Sequence, residues 1–243
     1  MAAVEESAAR VHEIQDFIFL CVKTYSLEEV CETLKSCIDQ HTVIVPVMNG
    51  ADTAERARNY LGKGLVVPSV IYTTSSVNTD FSITQLGQYT RIQLGTENRK
   101  EQEAVRRTEE ILKTAGIDCE VCTDIRQAVW EKYIFNCAYN VITAYYLGNV
   151  EDIRKEKKRR EEFRVLLEEA VSVAKAESVC IREHYVEEEY ERFLSLNEGS
   201  TSSLKRDVAA GKSSEFETFG GYLIKAAEKQ GVSIPLSKQF ILV

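Results

Sequence analysis

The 243-residue chain is defined first by what it lacks. No apolar run approaches the roughly 20 residues that a bilayer span needs. The first sixteen residues, MAAVEESAARVHEIQD, are acidic and have no apolar centre, unlike a secretory signal. Positive charge is not in surplus: 30 Lys and Arg stand against 38 Asp and Glu, a net charge of −8. That balance leaves no electrostatic footprint for nucleic acid. Histidine is scarce, with three in the chain, so Cys119 and Cys122, a lone C-x-x-C, have neither a second pair nor nearby imidazoles to complete a metal site. No even, closely spaced cysteine framework exists either. The seven cysteines are scattered, several in apolar stretches such as FIFLCV and FNCAYN, where a thiol acts as a small hydrophobe. No internal repeat marks a solenoid. The expectation is a cytoplasmic protein with neither membrane nor nucleic-acid partner and no metal.

What is present reads as two different halves. Phe17 to Val22 is a short apolar run suited to a strand buried on both faces. Ser26 with Glu29 has the form of a capping box, followed by Leu27, Val30, Leu34 and Ile38 at helical spacing. Val43 to Met48 is a second strand, weakened by Pro46 and closed by Asn49-Gly50. Asp52 with Glu55 repeats the capping signal for a helix through Leu61. Leu65–Tyr72 reads as a strand, Phe81–Leu94 as a hairpin, Arg99–Ala115 as a helix closed by Gly116, and Ile117–Cys122 as a last strand. This alternation predicts a mostly parallel sheet. From Asp124 onward only helical periodicities remain: Ile125–Tyr146, Lys158–Ala176, Glu183–Leu194, a short helix near Ser202–Ala210, and Glu215–Gln230. The charge run RKEKKRREE (154–162) is most simply a solvated helix start. The predicted organisation is α/β plus all-α, with residues 1–122 as one domain and 123–243 as the other.

Three clusters carry candidate chemistry. In WEKYIFNCAYN (130–140), Lys132, Asn136 and Asn140 fall on one helical stripe among apolar neighbours, where unbonded amides and an ammonium are costly. Two readings stand: a functional stripe, or a Lys at a solvent edge with two Asn bonded to backbone. In TSSLKRDVAAGKSSEFE (201–217), Ser203, Asp207 and Glu215 offer donors and acceptors for a small polar ligand; the alternative is a pair of helix caps. Lys23 and Asn49 follow successive strands, and ligands of open α/β sheets sit at the carboxyl ends of strands.

Taken in order, VKTY (22–25), NGADTAE (49–55), WEKYIFNCAYN (130–140), SSLKRD…E (202–215) and FGGYLIKAAEKQGVSIP (219–235) resemble the ketopantoate reductase family, 2-dehydropantoate 2-reductases. The resemblance runs from about Asp16 to the end. It implies an incomplete Rossmann-like domain and a helical domain like the C-terminal domain of 6-phosphogluconate dehydrogenase. It also implies NADPH-dependent reduction of a 2-oxo acid in pantothenate biosynthesis. In that reading Lys132 is the general acid, Asn136 and Asn140 bind the polar groups of the substrate, Ser203 meets its carboxylate and Glu215 its hydroxyl end. Lys23 and Asn49 line the nicotinamide side of the cofactor, NADP. A homodimer stays open.

One departure from the family pattern stands out. None of the twelve glycines fits G-x-G-x-x-G, the loop whose amides receive the dinucleotide pyrophosphate. Phe17–Val22 matches the family's fourth strand, so about two βα units, on the order of 60 residues, are expected to be absent, and the end at IPLSKQFILV looks early. The missing loop then implies weak NADPH binding, and an unpaired Phe17–Val22 edge implies a tendency to aggregate. Two other readings stay open: an inactive homologue serving as a binding or assembly module, and a reductase of another 2-oxo acid.

Overall fold

A computed structural model describes residues 8–80, 82–85 and 90–241. The chain forms two compact units, one up to Val129 and one from Trp130. At the centre of the first lies β2 (Val43–Pro46), all four residues buried. It runs parallel between β1 (Phe17–Leu20) and β3 (Leu65–Val66). Successive residues of a strand face opposite ways, and β2 shows the consequence. Ile44 joins the core made with α1 (Leu27–Leu34) and α2 (Thr53–Leu61). Val43 and Val45 join the other core, made with α3 (Gln102–Thr114). A continuous apolar strand demands cover on both faces, and these helices supply it.

The remaining strands depart from the sequence expectation in two places. The run Leu65–Tyr72 is two strands, because Pro68 has no N–H for a ladder. Val67 still donates to the Ile44 carbonyl at 2.9 Å, after which the chain turns into β4 (Ser69–Tyr72). The expected hairpin over Phe81–Leu94 is not formed as such; Phe81 and residues 86–89 of it lie outside the described residues. Instead β5 (Ser75–Val77) pairs antiparallel with β6 (Ile83–Gln85). The next strand, β7 (Arg91–Leu94), pairs antiparallel with β4 and parallel with β8 (Cys119–Val121). Burial separates them: β6 is exposed throughout, whereas Ile92 and Leu94 of β7 enter the core.

Neither expected capping box forms a side-chain cap. Ser26 has φ −97° and ψ −1°, already helical, whereas a capping side chain needs extended backbone. The chain enters α1 through a 3₁₀ turn, Thr24–Ser26. The stop after α3 is as expected, with Gly116 at φ +76°.

The second unit is helical throughout its described residues. Helix α4 (Ile125–Tyr145) leads into it, followed by α5 (Val150–Lys155), α6 (Lys157–Ala176), α7 (Tyr185–Leu194), α8 (Ser203–Ala209), α9 (Tyr222–Gln230) and α10 (Pro235–Ile241). Helices α5 and α10 were not anticipated. The first is opened by a true capping box of Asn149 and Asp152. The charge run 154–162 is more than a solvated start. Arg154 donates to the carbonyls of Leu194 and Leu196 at 2.8 and 3.1 Å, and Arg159 lies over the Tyr146 ring. No helix among the described residues is long and apolar enough to cross a membrane.

A buried carboxylate holds the last helix. Glu169 of α6 accepts from the Leu236 and Ser237 amides at 2.9 and 2.7 Å and from the Ser237 hydroxyl at 2.6 Å. It meets the N–H groups that a helix start leaves unpaired. Replacing Glu169 with Ala strands these donors, a loss of about 1–3 kcal/mol. Urea unfolding of Glu169→Ala is expected to show a lower midpoint, with faster amide exchange confined first to α10.

Candidate active site

Helix α4 carries the candidate stripe within a largely apolar helix. Tyr133, Ile134, Phe135, Cys137, Ala138, Val141 and Ile142 are buried, while Lys132 and Asn136 are half-buried. Burial lowers the Lys132 pKa to about 8, and the Glu215 carboxylate pulls it the other way. Loss of hydration disfavours the ammonium, and a nearby negative charge favours it. Lys132 and Glu215 thus interact electrostatically although 83 positions apart in sequence, and Glu215 is itself only 4% exposed.

The stripe divides into two functions along its length. Asn140 is buried and engages both ends of its carboxamide. It donates to the Asn136 carbonyl at 2.9 Å and accepts from the Leu204 amide at 3.3 Å. One turn on, the Thr143 hydroxyl meets that of Ser202 at 2.7 Å, while Ser202 also caps α8 by accepting from the Lys205 amide. These contacts fasten the start of α8 to α4. The hydroxyl of the following residue, Ser203, and the carboxamide of Asn136 have no such partner among the described residues and are half-buried. Asp207, the third acceptor proposed from the sequence, lies half-buried further along α8.

Glu215 does not begin a regular helix. Its carbonyl accepts from the Thr218 and Phe219 amides at 3.0 and 3.1 Å, and the chain then makes a π turn, Glu217–Gly221, before α9. Single π turns within helices recur at functional sites. Sequence reasoning missed this turn and its fastening. Tyr133 donates its hydroxyl to the Thr218 carbonyl at 2.8 Å, and its ring meets Trp130 and Tyr222 edge-on at 5.5 and 5.7 Å. The pair Gly220-Gly221, inside an otherwise helical pattern, was the available signal.

In the first unit, β1 and β2 bring Lys23 and Asn49 to the same end of the sheet. The parallel register sets Leu20 opposite Pro46, and each candidate follows its strand by three residues. Gly50, at φ +113°, supplies the turn after Asn49 in a conformation that side chains disfavour. Arg56 of α2 donates to the Thr24 carbonyl at 3.2 Å and ties this corner down. Cys119 is buried and Cys122 half-buried, and burial raises both thiols, Cys119 to about 11. Among the described residues no cluster of three or more metal-ligating side chains is found.

Comparison with known proteins settles the family. The model of the ketopantoate reductase (PanE/ApbA) family matches residues 2–99, and that of its C-terminal domain matches 124–241. The chain belongs to the ketopantoate reductase family. A 2-dehydropantoate 2-reductase of Aquifex aeolicus (strain VF5) is 25% identical over 230 residues, covering 93% of this chain and 74% of the relative. A dimeric ketopantoate reductase from Staphylococcus aureus has the same fold, with TM-score 0.86 and 22% identity, covering 97% of this chain and 78% of that one. A D-mandelate dehydrogenase in ternary complex with NADH and anilino(oxo)acetate aligns with TM-score 0.82 and 17% identity, over 97% and 77% of the two chains. The fold is therefore that of the family, a parallel-sheet domain followed by a helical one, and relatives in the family are oxidoreductases.

The depressed Lys132 has a measurable consequence for stability. Between about pH 8 and 10.5 the unfolded chain holds a proton on this lysine that the folded chain has released. Stability therefore rises with pH across that window. Wild type compared with Lys132→Met is expected to recover on the order of 1–3 kcal/mol from pH 8 to 10.5. Carbon-13 NMR of labelled lysines should show one side chain titrating near 8. A Lys132 signal titrating above 10 would contradict the desolvated site.

Proposed function

We propose that the chain is a 2-dehydropantoate 2-reductase, reducing ketopantoate to pantoate with NADPH. The observation that carries this reading is the Lys132–Glu215 pair: a desolvated lysine with its pKa lowered to about 8, coupled to a buried carboxylate, with Asn136 and Ser203 offered to a ligand. A pKa near 8 leaves Lys132 mostly protonated at pH 7 yet able to release its proton, which suits a general acid. Lys132 protonates the oxygen of the 2-oxo group. Asn136 orients the substrate, with Asn140 beside it lending its remaining N–H, and Ser203 meets the carboxylate. Glu215 accepts from the substrate hydroxyl and keeps the ammonium charged until transfer. The burial of Lys132 and Glu215 strengthens their interaction by removing bulk water from around it.

The dinucleotide, when bound, supplies the hydride. The residues present fit its nicotinamide end, where Lys23 and Asn49 offer donors at adjoining strand ends. They do not fit its phosphates. No G-x-G-x-x-G occurs in the sequence. A second reading is a homologue that keeps the substrate site and serves as a binding or assembly module. The 2-oxo acid is also open to exchange, since the D-mandelate dehydrogenase shares this fold. We further propose a cytoplasmic homodimer, supported by the free cysteines and by the dimeric relative.

Two measurements separate these readings. In an assay of NADPH oxidation with ketopantoate, Lys132→Ala is expected to lower kcat/KM by 10²–10⁴-fold; a value within threefold of the parent removes Lys132 from its role. In isothermal titration, Glu215→Ala is expected to weaken ketopantoate binding at least about tenfold, equivalent to about 1.4 kcal/mol, and to leave NADPH affinity unchanged. Ketopantoate binding without any NADPH binding supports the module reading.

A further inference from the structure

We propose that Tyr133 is a positioning residue whose hydroxyl, bonded to the Thr218 carbonyl, holds the turn bearing Glu215 in register with Lys132. The inference rests on the reductase reading above and names the device that keeps its two central groups together. Lys132 and Tyr133 are consecutive on α4, so the helix fixes one relative to the other. The Tyr133 hydroxyl reaches Thr218 at 2.8 Å, and the Thr218 amide in turn donates to the Glu215 carbonyl at 3.0 Å. The route from ammonium to carboxylate therefore closes in two hydrogen bonds, across 85 positions of sequence.

Three features make this bond specific. Tyr133 is 2% exposed, so its hydroxyl has no competing bulk water and an unmet donor there is costly. Its ring is clamped edge-on by Trp130 and Tyr222, which leaves little freedom in where the hydroxyl points. On the far side the turn is backed by α10: a Cβ on Gly220 would fall 2.8 Å from the Ile241 side chain. A π turn breaks the regular i→i+4 pattern of a helix, so its carbonyls take their placement from such outside donors. A tyrosine needed only to fill the core would serve equally well as phenylalanine.

The test is Tyr133→Phe in the full chain, which keeps the ring and removes the donor. With Glu215 less firmly held, the Lys132 titration followed by lysine carbon-13 NMR is expected to move down by about half a unit or more. In the ketopantoate assay, kcat is expected to fall about tenfold while KM changes less than threefold. Glu215→Gln, read by the same NMR titration, should move Lys132 in the same direction and further. A Lys132 titration unchanged in Tyr133→Phe, with kcat within twofold of the parent, overturns the proposal. So does an unchanged titration in Glu215→Gln, since there would be no coupling to position. The NMR readout needs no turnover, so a parent chain inactive on ketopantoate refutes the reductase reading and leaves the positioning test intact.

Discussion

Helix α4 must do two incompatible things along one length. It is the most buried helix of the second unit, walled by Tyr133, Ile134, Phe135, Ala138, Val141 and Ile142, yet one stripe of it bears an ammonium and two carboxamides. An interior tolerates such groups only when each is met by a partner. Much of the helical unit is arranged to meet them. The Glu215 carboxylate favours the Lys132 ammonium, the start of α8 bonds to Asn140 and Thr143, and the π turn accepts from Tyr133. The elements that bring these partners are short and irregular because side-chain contacts place them.

The periphery of this unit is held in the same way, by polar groups buried at helix ends. Glu169 meets the start of α10, Asn149 and Asp152 cap α5, and Arg154 gathers the carbonyls that end α7. Stacked rings fill the space between: Phe163 on Phe193 at 4.0 Å and Tyr145 on Phe240 at 4.0 Å. The first unit works on a different rule. There the alternating faces of β2 are enough to recruit α1 and α2 to one side and α3 to the other, and polar ties such as Arg56 to Thr24 only trim the corners.

That contrast explains which expectations held. Strands β1 and β2 were legible because a buried parallel strand writes itself as a run of β-branched and aromatic residues. The long helices α4 and α6 were legible because period 3.6 persists over many turns. Strand partners were less so: whether β7 pairs with β6 or β4 depends on which neighbour buries Ile92 and Leu94, and that is a tertiary choice. Capping signals misled at Ser26, whose backbone is already helical, and at Asp52, whose φ of −108° and ψ of 3° are likewise not the extended backbone a capping side chain needs. The box that does form, at Asn149, lay between the helices expected over Ile125–Tyr146 and Lys158–Ala176.

Sequence alone determined the two-part architecture and the stripe of Lys132, Asn136 and Asn140 on one helical face, since each is a matter of residue type and local spacing. The tertiary structure decided what the stripe means. Only the folded chain shows that Asn140 is occupied by α8 while Asn136 is open, because that depends on where the Leu204 amide lies. Only burial turns Lys132 from a surface cation into a group that titrates near 8, and only the turn after Glu215 sets a carboxylate beside it. Desolvation and charge pairing are properties of surroundings, and the surroundings of Lys132 come from segments some 70 to 90 residues away in sequence.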